Sequence, residues 1–156
     1  MIVVDIPGRE SPLTIRHVVL DYNGTVAVDG VLLPEAAERI MALLPSVSVH
    51  LLTADTYGTA RAQCEPLGVQ VHTFPRGGAA VPKGNFVSRL SGGVACFGNG
   101  FNDMAMFDGA DLAVAVLEGE GACAALLSHA DVAVRSIAEG LDLLLKSRRL
   151  RATLRN

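Results

Sequence analysis

The stretch "VVLDYNGTVAVDG" (residues 18–30) begins with three apolar residues and then places Asp21 where the predicted strand ends. Asn23, Gly24 and Thr25 follow within four positions. Short continuous apolar runs are typical of strands buried in a parallel sheet, and ligands bind at the carboxyl ends of such strands. The stretch therefore predicts a buried strand that carries a polar site at its end.

Similar apolar runs alternate with helical patterns along the rest of the chain. The predicted strands are residues 17–22, 46–53, 69–74, 94–98, 112–117 and 132–135, and the predicted helices are residues 34–44, 57–68, 83–90, 101–110, 121–130 and 136–149. This alternation predicts an α/β, three-layer, Rossmann-like fold, with a central mostly parallel sheet and helices on both faces. We expect a single domain over residues 1–156, with an edge strand or hairpin over about residues 1–15 and a basic tail over about residues 146–156.

Composition excludes several classes of function. The net charge of -3 and the 4% aromatic content argue against a nucleic-acid partner. The longest uncharged run, residues 40–54, is 15 residues long and contains Pro45, so it is too short to span a membrane. Three widely spaced cysteines predict reduced thiols. We therefore expect a cytoplasmic protein that does not engage a membrane.

Three residues at predicted strand ends or in loops have two interpretations each. Asp21 is either a turn residue or a carboxylate that attacks phosphorus. Thr53 either caps the next helix or contributes to an anion site at its start, and the two roles are compatible. Lys83, one of only two lysines, is either a solvated surface residue or the positive charge that neutralises a phosphoryl group.

The segment "GNGFND" (residues 98–103) is the most specific pattern in the chain. Its glycines allow the backbone to approach a ligand closely, and Asn102 and Asp103 open the next predicted helix. Asn99 and Asp103 could both face a cation, and oxygen ligands with few carboxylates suit Mg²⁺. A capped helix after a tight turn explains Asn102 or Asp103 but not the whole cluster.

The segments around Asp21, Thr53 and Lys83, together with residues 98–103, resemble the four motifs of the haloacid dehalogenase (HAD) superfamily of phosphohydrolases. They are most similar to the phosphorylation domain of P-type ATPases and its small soluble relatives. The resemblance covers about residues 14–146, with the motifs in order. The matching residues are Asp21, Gly24 and Thr25; Thr53 and Asp55; Lys83; and Gly98, Gly100, Asn102 and Asp103.

The resemblance implies a role for each site residue. Asp21 is the nucleophile and Lys83 a catalytic cation. The implied phosphate-binding residues are Thr25, Thr53, Ala54, Lys83 and Asn102. The implied Mg²⁺ ligands are Asp21, the backbone carbonyl of Asn23, Asn99 and Asp103.

Two residues depart from the family pattern. Asn23 stands where many phosphatases of the family carry an acid that protonates the leaving oxygen, and an amide cannot exchange protons in that way. Asn99 replaces a ligating Asp, which removes one negative charge from the metal site. We therefore expect a Mg²⁺-dependent phosphohydrolase that acts slowly through an aspartyl-phosphate on Asp21. The alternative is a catalytically impaired binding or regulatory domain with the same fold.

The spacing of the motifs limits the substrate and the partners. Only 27 residues separate Thr25 from Thr53, and 29 separate Thr53 from Lys83. Neither gap holds a sizeable cap or a nucleotide-binding insertion, so transport driven by ATP is excluded. We expect an open site that takes a phosphorylated substrate of unknown identity, small or large, and that a second copy of the chain could cover. The basic tail is expected to be a solvated helix end.

Overall fold

The computed structural model describes residues 1–55, 59–75 and 77–156. The strands are β1 (Ile2–Val4), β2 (Leu13–Ile15), β3 (His17–Asp21), β4 (Ala27–Val28), β5 (Val31–Leu32), β6 (Ser48–Thr53), β7 (Gln70–Thr73), β8 (Val94–Gly98), β9 (Leu112–Val116) and β10 (Val132–Val134). Six of them form a parallel sheet in the order β10-β9-β8-β3-β6-β7. The predicted α/β fold with a parallel central sheet is confirmed.

The helices are α1 (Pro34–Leu43), α2 (Ala60–Cys64), α3 (Ala80–Ser88), α4 (Met104–Asp108), α5 (Ile137–Leu145) and α6 (Ser147–Leu154). Short 3₁₀ helices cover Glu65–Leu67, Phe101–Asp103 and Ala124–His129. Local chemistry explains where two helices begin: Pro34 fits the first turn of α1, and the Ser136 hydroxyl accepts a hydrogen bond from the Glu139 N–H at the start of α5.

The structure differs from several helix predictions, and part of one prediction falls outside the described residues. Residues 57–58, the predicted start of the second helix, lie outside the described residues. The predicted helix at 121–130 is a 3₁₀ helix over Ala124–His129. The predicted helix at 136–149 is broken into α5 and α6, because Lys146 has φ -122° and ψ 63°, outside the helical region. Periodicity alone does not reveal such a single-residue break.

The two faces of the central sheet are covered by different helices. Along β3, Val18 and Leu20 pack with residues of α1, α2 and α5, whereas Val19 packs with residues of α3 and α4. Side chains alternate between the faces of a strand, and both faces here are apolar. The result is the three-layer arrangement expected from the sequence.

Two antiparallel hairpins lie outside the central sheet. At the N-terminus β1 pairs with β2, in the region where an edge strand or hairpin was expected. After β3, strands β4 and β5 are joined by Asp29 and Gly30, both with positive φ, as a two-residue hairpin turn requires. The basic C-terminal segment forms α6, which buries Leu150.

The register of the sheet aligns the ends of three central strands. Asp21 at the end of β3 pairs with Leu52 of β6, and Leu20 pairs with Phe97 of β8. The carboxyl ends of β3, β6 and β8 therefore meet at one edge. Within the described ranges, no helix has both the length and the apolarity needed to cross a membrane.

Candidate active site

A buried lysine joins two carboxylates at this edge of the sheet. Lys83 Nζ lies 2.6 Å from Asp21 Oδ1 and 2.8 Å from Asp103 Oδ1. Lys83 and Asp103 are 1% and 0% exposed, and Asp21 is 7% exposed. The three residues come from β3, α3 and the 3₁₀ helix after β8, so the fold itself assembles the cluster.

Helix α3 is held close to the sheet and thereby positions Lys83. A Cβ added at Gly84 would lie 3.0 Å from the Cβ of Ala105, so the glycine permits close packing of α3 on α4. On the sheet side, the Phe86 ring packs on His50 and His72, with ring centroids 5.3 and 4.5 Å away. These contacts fix the helix from both sides and leave the lysine little freedom to move.

The buried cluster contains two carboxyl groups and one lysine, so it has an excess of acidic groups. Burial and the nearby charge of Asp103 raise the pKa of Asp21 from 3.8 to about 6, although Lys83 opposes them. Burial by itself lowers the pKa of Lys83, but attraction to the two carboxylates outweighs it and leaves that pKa raised. Lys83 therefore remains a cation, and Asp21 is an unusually basic carboxylate at neutral pH.

Both oxygens of Asp103 are occupied by donors. Its Oδ1 accepts from Lys83, and its Oδ2 accepts from the backbone N–H groups of Asn99 and Gly100 at 3.1 and 2.9 Å. A Cβ at Gly98 would lie 2.5 Å from that Oδ2, so the glycine is required for this close approach. The structure thus uses Asp103 to hold Lys83 and the loop after β8, and its predicted role as a metal ligand remains a prediction.

The loops after β3 and β8 are joined through Thr25 and Asn99. The Thr25 hydroxyl lies 3.3 Å from Asp21 Oδ2 and 3.1 Å from Asn99 Oδ1. The Asn99 side-chain N–H donates to the Gly121 carbonyl at 3.0 Å. Gly24 has φ +79°, and a Cβ there would lie 2.2 Å from Asn99 Nδ2, so no larger residue fits. The glycine and threonine of the first motif therefore place the two loops side by side.

The Thr53 side chain stabilises the loop after β6. Thr53 is 1% exposed, and its hydroxyl oxygen accepts from the Asp55 N–H at 2.8 Å. This bond leaves the hydroxyl proton of Thr53 for another acceptor. Asp55 has φ +47°, and its carboxylate accepts from the Ala60 N–H at the start of α2. Thr53 and Asp55 thus shape the turn that carries Ala54.

A cleft of about 200 Å³ brings most of the predicted site residues together. It is lined by Asp21, Asn23, Ala54, Lys83, Asn99, Gly100 and Asn102. Asn102 Oδ1 lies 3.5 Å from Lys83 Nζ. Asp103 and Thr25 join the site through Lys83 and Asp21 respectively, whereas Thr53 lies beside Ala54, which lines the cleft. This cleft has the size and the polar lining of a site for one phosphoryl group and a cation.

The oxygen atoms of the cleft fit a hard cation such as Mg²⁺. Asn23 Oδ1 is buried and has no hydrogen-bond partner among the described residues, so it is an acceptor without a donor. No group of three or more His, Cys, Asp or Glu side chains in the described ranges is arranged to hold a metal ion. A cation here would therefore rely on Asp21, amide or carbonyl oxygens, and water, which is a donor set suited to Mg²⁺.

Two features of the site have no signal in the sequence. The Gly121 carbonyl fixes the Asn99 amide, although it is 22 positions away. Phe101 is 70% exposed and lines a second cleft, of about 530 Å³, with Ala54, Gly77, Gly78, Ala79, Ala80 and Asn102. The sequence places Phe101 within a motif but does not reveal that its ring is exposed.

Comparison with known proteins relates the chain to one family and one fold. It is 40% identical over 63 residues to the uncharacterized protein MJ0073 of Methanocaldococcus jannaschii, and the match covers 40% of this chain and 68% of that protein. No model of a protein family matches the sequence.

Solved structures with the same fold include two phosphatases. One is the cobalt-bound deoxy-D-mannose-octulosonate 8-phosphate phosphatase of Haemophilus influenzae, with a TM-score of 0.69, 14% identity, and coverage of 91% of this chain and 94% of that one. Another is the 3-deoxy-D-manno-octulosonate 8-phosphate phosphatase of Moraxella catarrhalis in complex with magnesium, phosphate and KDO, with a TM-score of 0.69, 13% identity, and coverage of 88% and 90%.

A third similar structure is that of a putative HAD superfamily (subfamily III A) hydrolase from Legionella pneumophila, with a TM-score of 0.68, 17% identity, and coverage of 90% of this chain and 87% of that one. These similarities show the fold of the chain. The similarity to the phosphorylation domain of P-type ATPases remains a prediction from the motifs. The chain therefore belongs to the same family as MJ0073 and has the fold of the HAD superfamily.

Proposed function

We propose that this chain is a Mg²⁺-dependent phosphohydrolase that acts through an aspartyl-phosphate on Asp21. The observation that carries the proposal is the buried Asp21–Lys83–Asp103 cluster at the floor of a polar cleft. Asp21 alone of the two carboxylates lines the cleft, and burial makes it more basic than an ordinary aspartate. A basic carboxylate beside a fixed cation suits attack on an anionic phosphoryl group.

The reaction consists of two displacements at phosphorus. An Asp21 carboxylate oxygen forms a bond to phosphorus while the bond from phosphorus to the leaving oxygen breaks, and the leaving oxygen takes the electron pair. Water then attacks the phosphorus of the aspartyl-phosphate, which releases inorganic phosphate and restores Asp21. Lys83 stabilises negative charge on the phosphoryl oxygens, and Thr53, Ala54 and Asn102 hold those oxygens in place.

Asp21, Asn99 and the backbone carbonyl of Asn23 would hold the Mg²⁺ ion. When bound, it would supply positive charge that offsets repulsion between the Asp21 carboxylate and the phosphoryl group. The Moraxella phosphatase of the same fold is in complex with magnesium and phosphate, which supports this choice of cation.

Asn23 is proposed to limit the rate. An amide cannot give a proton to the leaving oxygen or take one from the attacking water, and a general acid or base typically contributes about 10²–10⁴-fold. Both displacements lack that contribution here. We therefore propose slow turnover with a phospho-Asp21 that persists between the two steps.

The second candidate function is a binding or regulatory domain that retains the fold and a phosphate or cation site. Asn23 and Asn99 favour it, because each replaces a residue that acts as an acid or a metal ligand in the family. The Asn99 amide is also engaged with Thr25 and Gly121. This candidate predicts ligand binding without turnover.

Hydrolysis of 4-nitrophenyl phosphate, with and without Mg²⁺, separates the two candidates. We expect Mg²⁺-dependent turnover that falls at least about 10³-fold in Asp21→Asn, because the nucleophile is lost. Asp5→Asn is the matched control, since Asp5 is exposed and far from the cleft in the N-terminal segment. Absence of Mg²⁺-dependent turnover by the wild type above the Asp21→Asn background would contradict the proposal and favour the binding domain.

A further inference from the structure

The second cleft directly adjoins the phosphoryl cleft. The two share Ala54 and Asn102, and the second is the larger, at about 530 Å³ against about 200 Å³. Resting on the proposed function, we infer that the second cleft binds the leaving group, and that the substrate is a phosphate ester of an aromatic alcohol. Aryl phosphates are therefore the substrate class that we propose for this site.

The position of the cleft fits a leaving-group site. A phosphoryl group held between Lys83 and Asn102 lies beside both clefts, so its ester oxygen can point into the larger one. Phe101 and Asn102 are consecutive residues, so the Phe101 ring flanks the path from phosphorus to the second cleft. A planar ring bound there would stack on Phe101, which is 70% exposed.

The chemistry of the lining selects against sugars and acidic groups. Among the described residues that line the second cleft, glycine, alanine and phenylalanine predominate and none carries a charge. A polyhydroxylated leaving group would lose hydrogen bonds to water there and find few partners, which disfavours its binding. An aromatic ring loses no such bonds and covers the apolar surface.

Asn23 provides an independent reason to expect aryl phosphates as the substrates. Because the amide cannot protonate the leaving oxygen, the enzyme must release leaving groups that depart as anions. Phenols are far more acidic than alkyl alcohols or sugar hydroxyls, so a phenolate leaves readily without a proton. The apolar cleft and the amide thus favour the same substrates for different physical reasons.

The test compares 1-naphthyl phosphate with acetyl phosphate, whose leaving group is too small to reach the second cleft. We expect Phe101→Ala to lower the ratio of their kcat/KM values about tenfold, because stacking and apolar contact are lost. Val81→Ala is the matched control: Val81 is 67% exposed on α3 but does not line the cleft, so its removal leaves the ratio unchanged. Using a ratio separates binding of the ring from the reactivity of the phosphoryl group.

Two results would overturn the inference. One is a ratio in Phe101→Ala within twofold of the wild-type ratio; the other is a kcat/KM for glucose 6-phosphate equal to that for 1-naphthyl phosphate. Failure of the proposed function is a separate result, seen as no turnover of acetyl phosphate. In that event, binding of 1-naphthyl phosphonate, which cannot be hydrolysed, tests the cleft directly: weaker binding to Phe101→Ala than to Val81→Ala supports the subsite, and equal binding refutes it.

Discussion

Asp21 and Asp103 contact the same lysine, yet their surroundings differ. Asp103 is wholly buried and accepts three hydrogen bonds, one from Lys83 and two from backbone N–H groups. Asp21 lines the cleft, accepts one short bond from Lys83, and has Thr25 at 3.3 Å from its second oxygen. One carboxylate is fully satisfied by the protein, and the other has an oxygen in reach of a ligand.

The difference shows how one cation can serve two purposes. Two backbone N–H groups also donate to Asp103 and make it part of the framework. Asp21 lacks those bonds, so burial and the charge of Asp103 raise its pKa to about 6. Asp103 therefore has a structural role and Asp21 a chemical one, and substitutions at the two positions should have opposite effects on stability.

Asp103→Asn should destabilise the protein by about 3 kcal/mol or more, since it removes a buried charged acceptor from Lys83 and from two backbone N–H groups. The new amide N–H₂ would also face Lys83 or the backbone donors of Asn99 and Gly100. Urea unfolding at pH 7.5 measures the change. Asp5→Asn, at an exposed position, serves as the control. A loss below about 1 kcal/mol would remove the structural role assigned to Asp103.

Asn23→Asp should raise kcat about 10²-fold on alkyl phosphates, because a carboxyl group can protonate the leaving oxygen. The gain should shrink along a series of phenyl phosphates as the phenol becomes more acidic. Asn156→Asp, at the exposed C-terminus, is the control.

Because the Asn23–Gly24 dipeptide can deamidate to the same Asp, the wild-type protein must first be checked by mass spectrometry. An unchanged kcat for Asn23→Asp across the whole series would contradict the rate-limiting role of Asn23. It would also weaken the chemical reason for an aromatic leaving group.

Asp21→Asn should stabilise the folded protein by about 1–3 kcal/mol at pH 7.5, since it removes a carboxylate whose ionised form is disfavoured. The folded pKa of Asp21, about 6, exceeds its unfolded value of 3.8, so wild-type stability from this group is greatest below pH 4 and declines as the pH rises to 6. The advantage of Asp21→Asn should therefore vanish as the pH falls from 6 to 4.

This measurement must be made as a difference between the two proteins. Burial and the neighbouring His17 and His72 lower the pKa of His50 to about 4, and that residue costs stability as the pH falls from 6.5 to 4. Both proteins share this effect, so it cancels in the difference. A constant difference from pH 7.5 to 4 would contradict the raised pKa of Asp21.

The sequence predicts the sheet and the edge at which the site forms, because apolar runs mark buried strands and polar residues mark their ends. It does not predict which carboxylate is reactive. That distinction depends on two backbone N–H groups, of Asn99 and Gly100, that point at one oxygen of Asp103. The break at Lys146 and the exposure of Phe101 are likewise set by local backbone angles and packing, which leave no periodic pattern.

The most direct test of the account is a search for the phosphoryl group on Asp21 itself. Protein incubated with acetyl phosphate and Mg²⁺, then quenched in acid, should gain the mass of one phosphoryl group, mapped by peptide analysis to Asp21 and removed by hydroxylamine. A phosphoryl group on another residue, or none on a protein that still hydrolyses acetyl phosphate, would contradict Asp21 as the nucleophile.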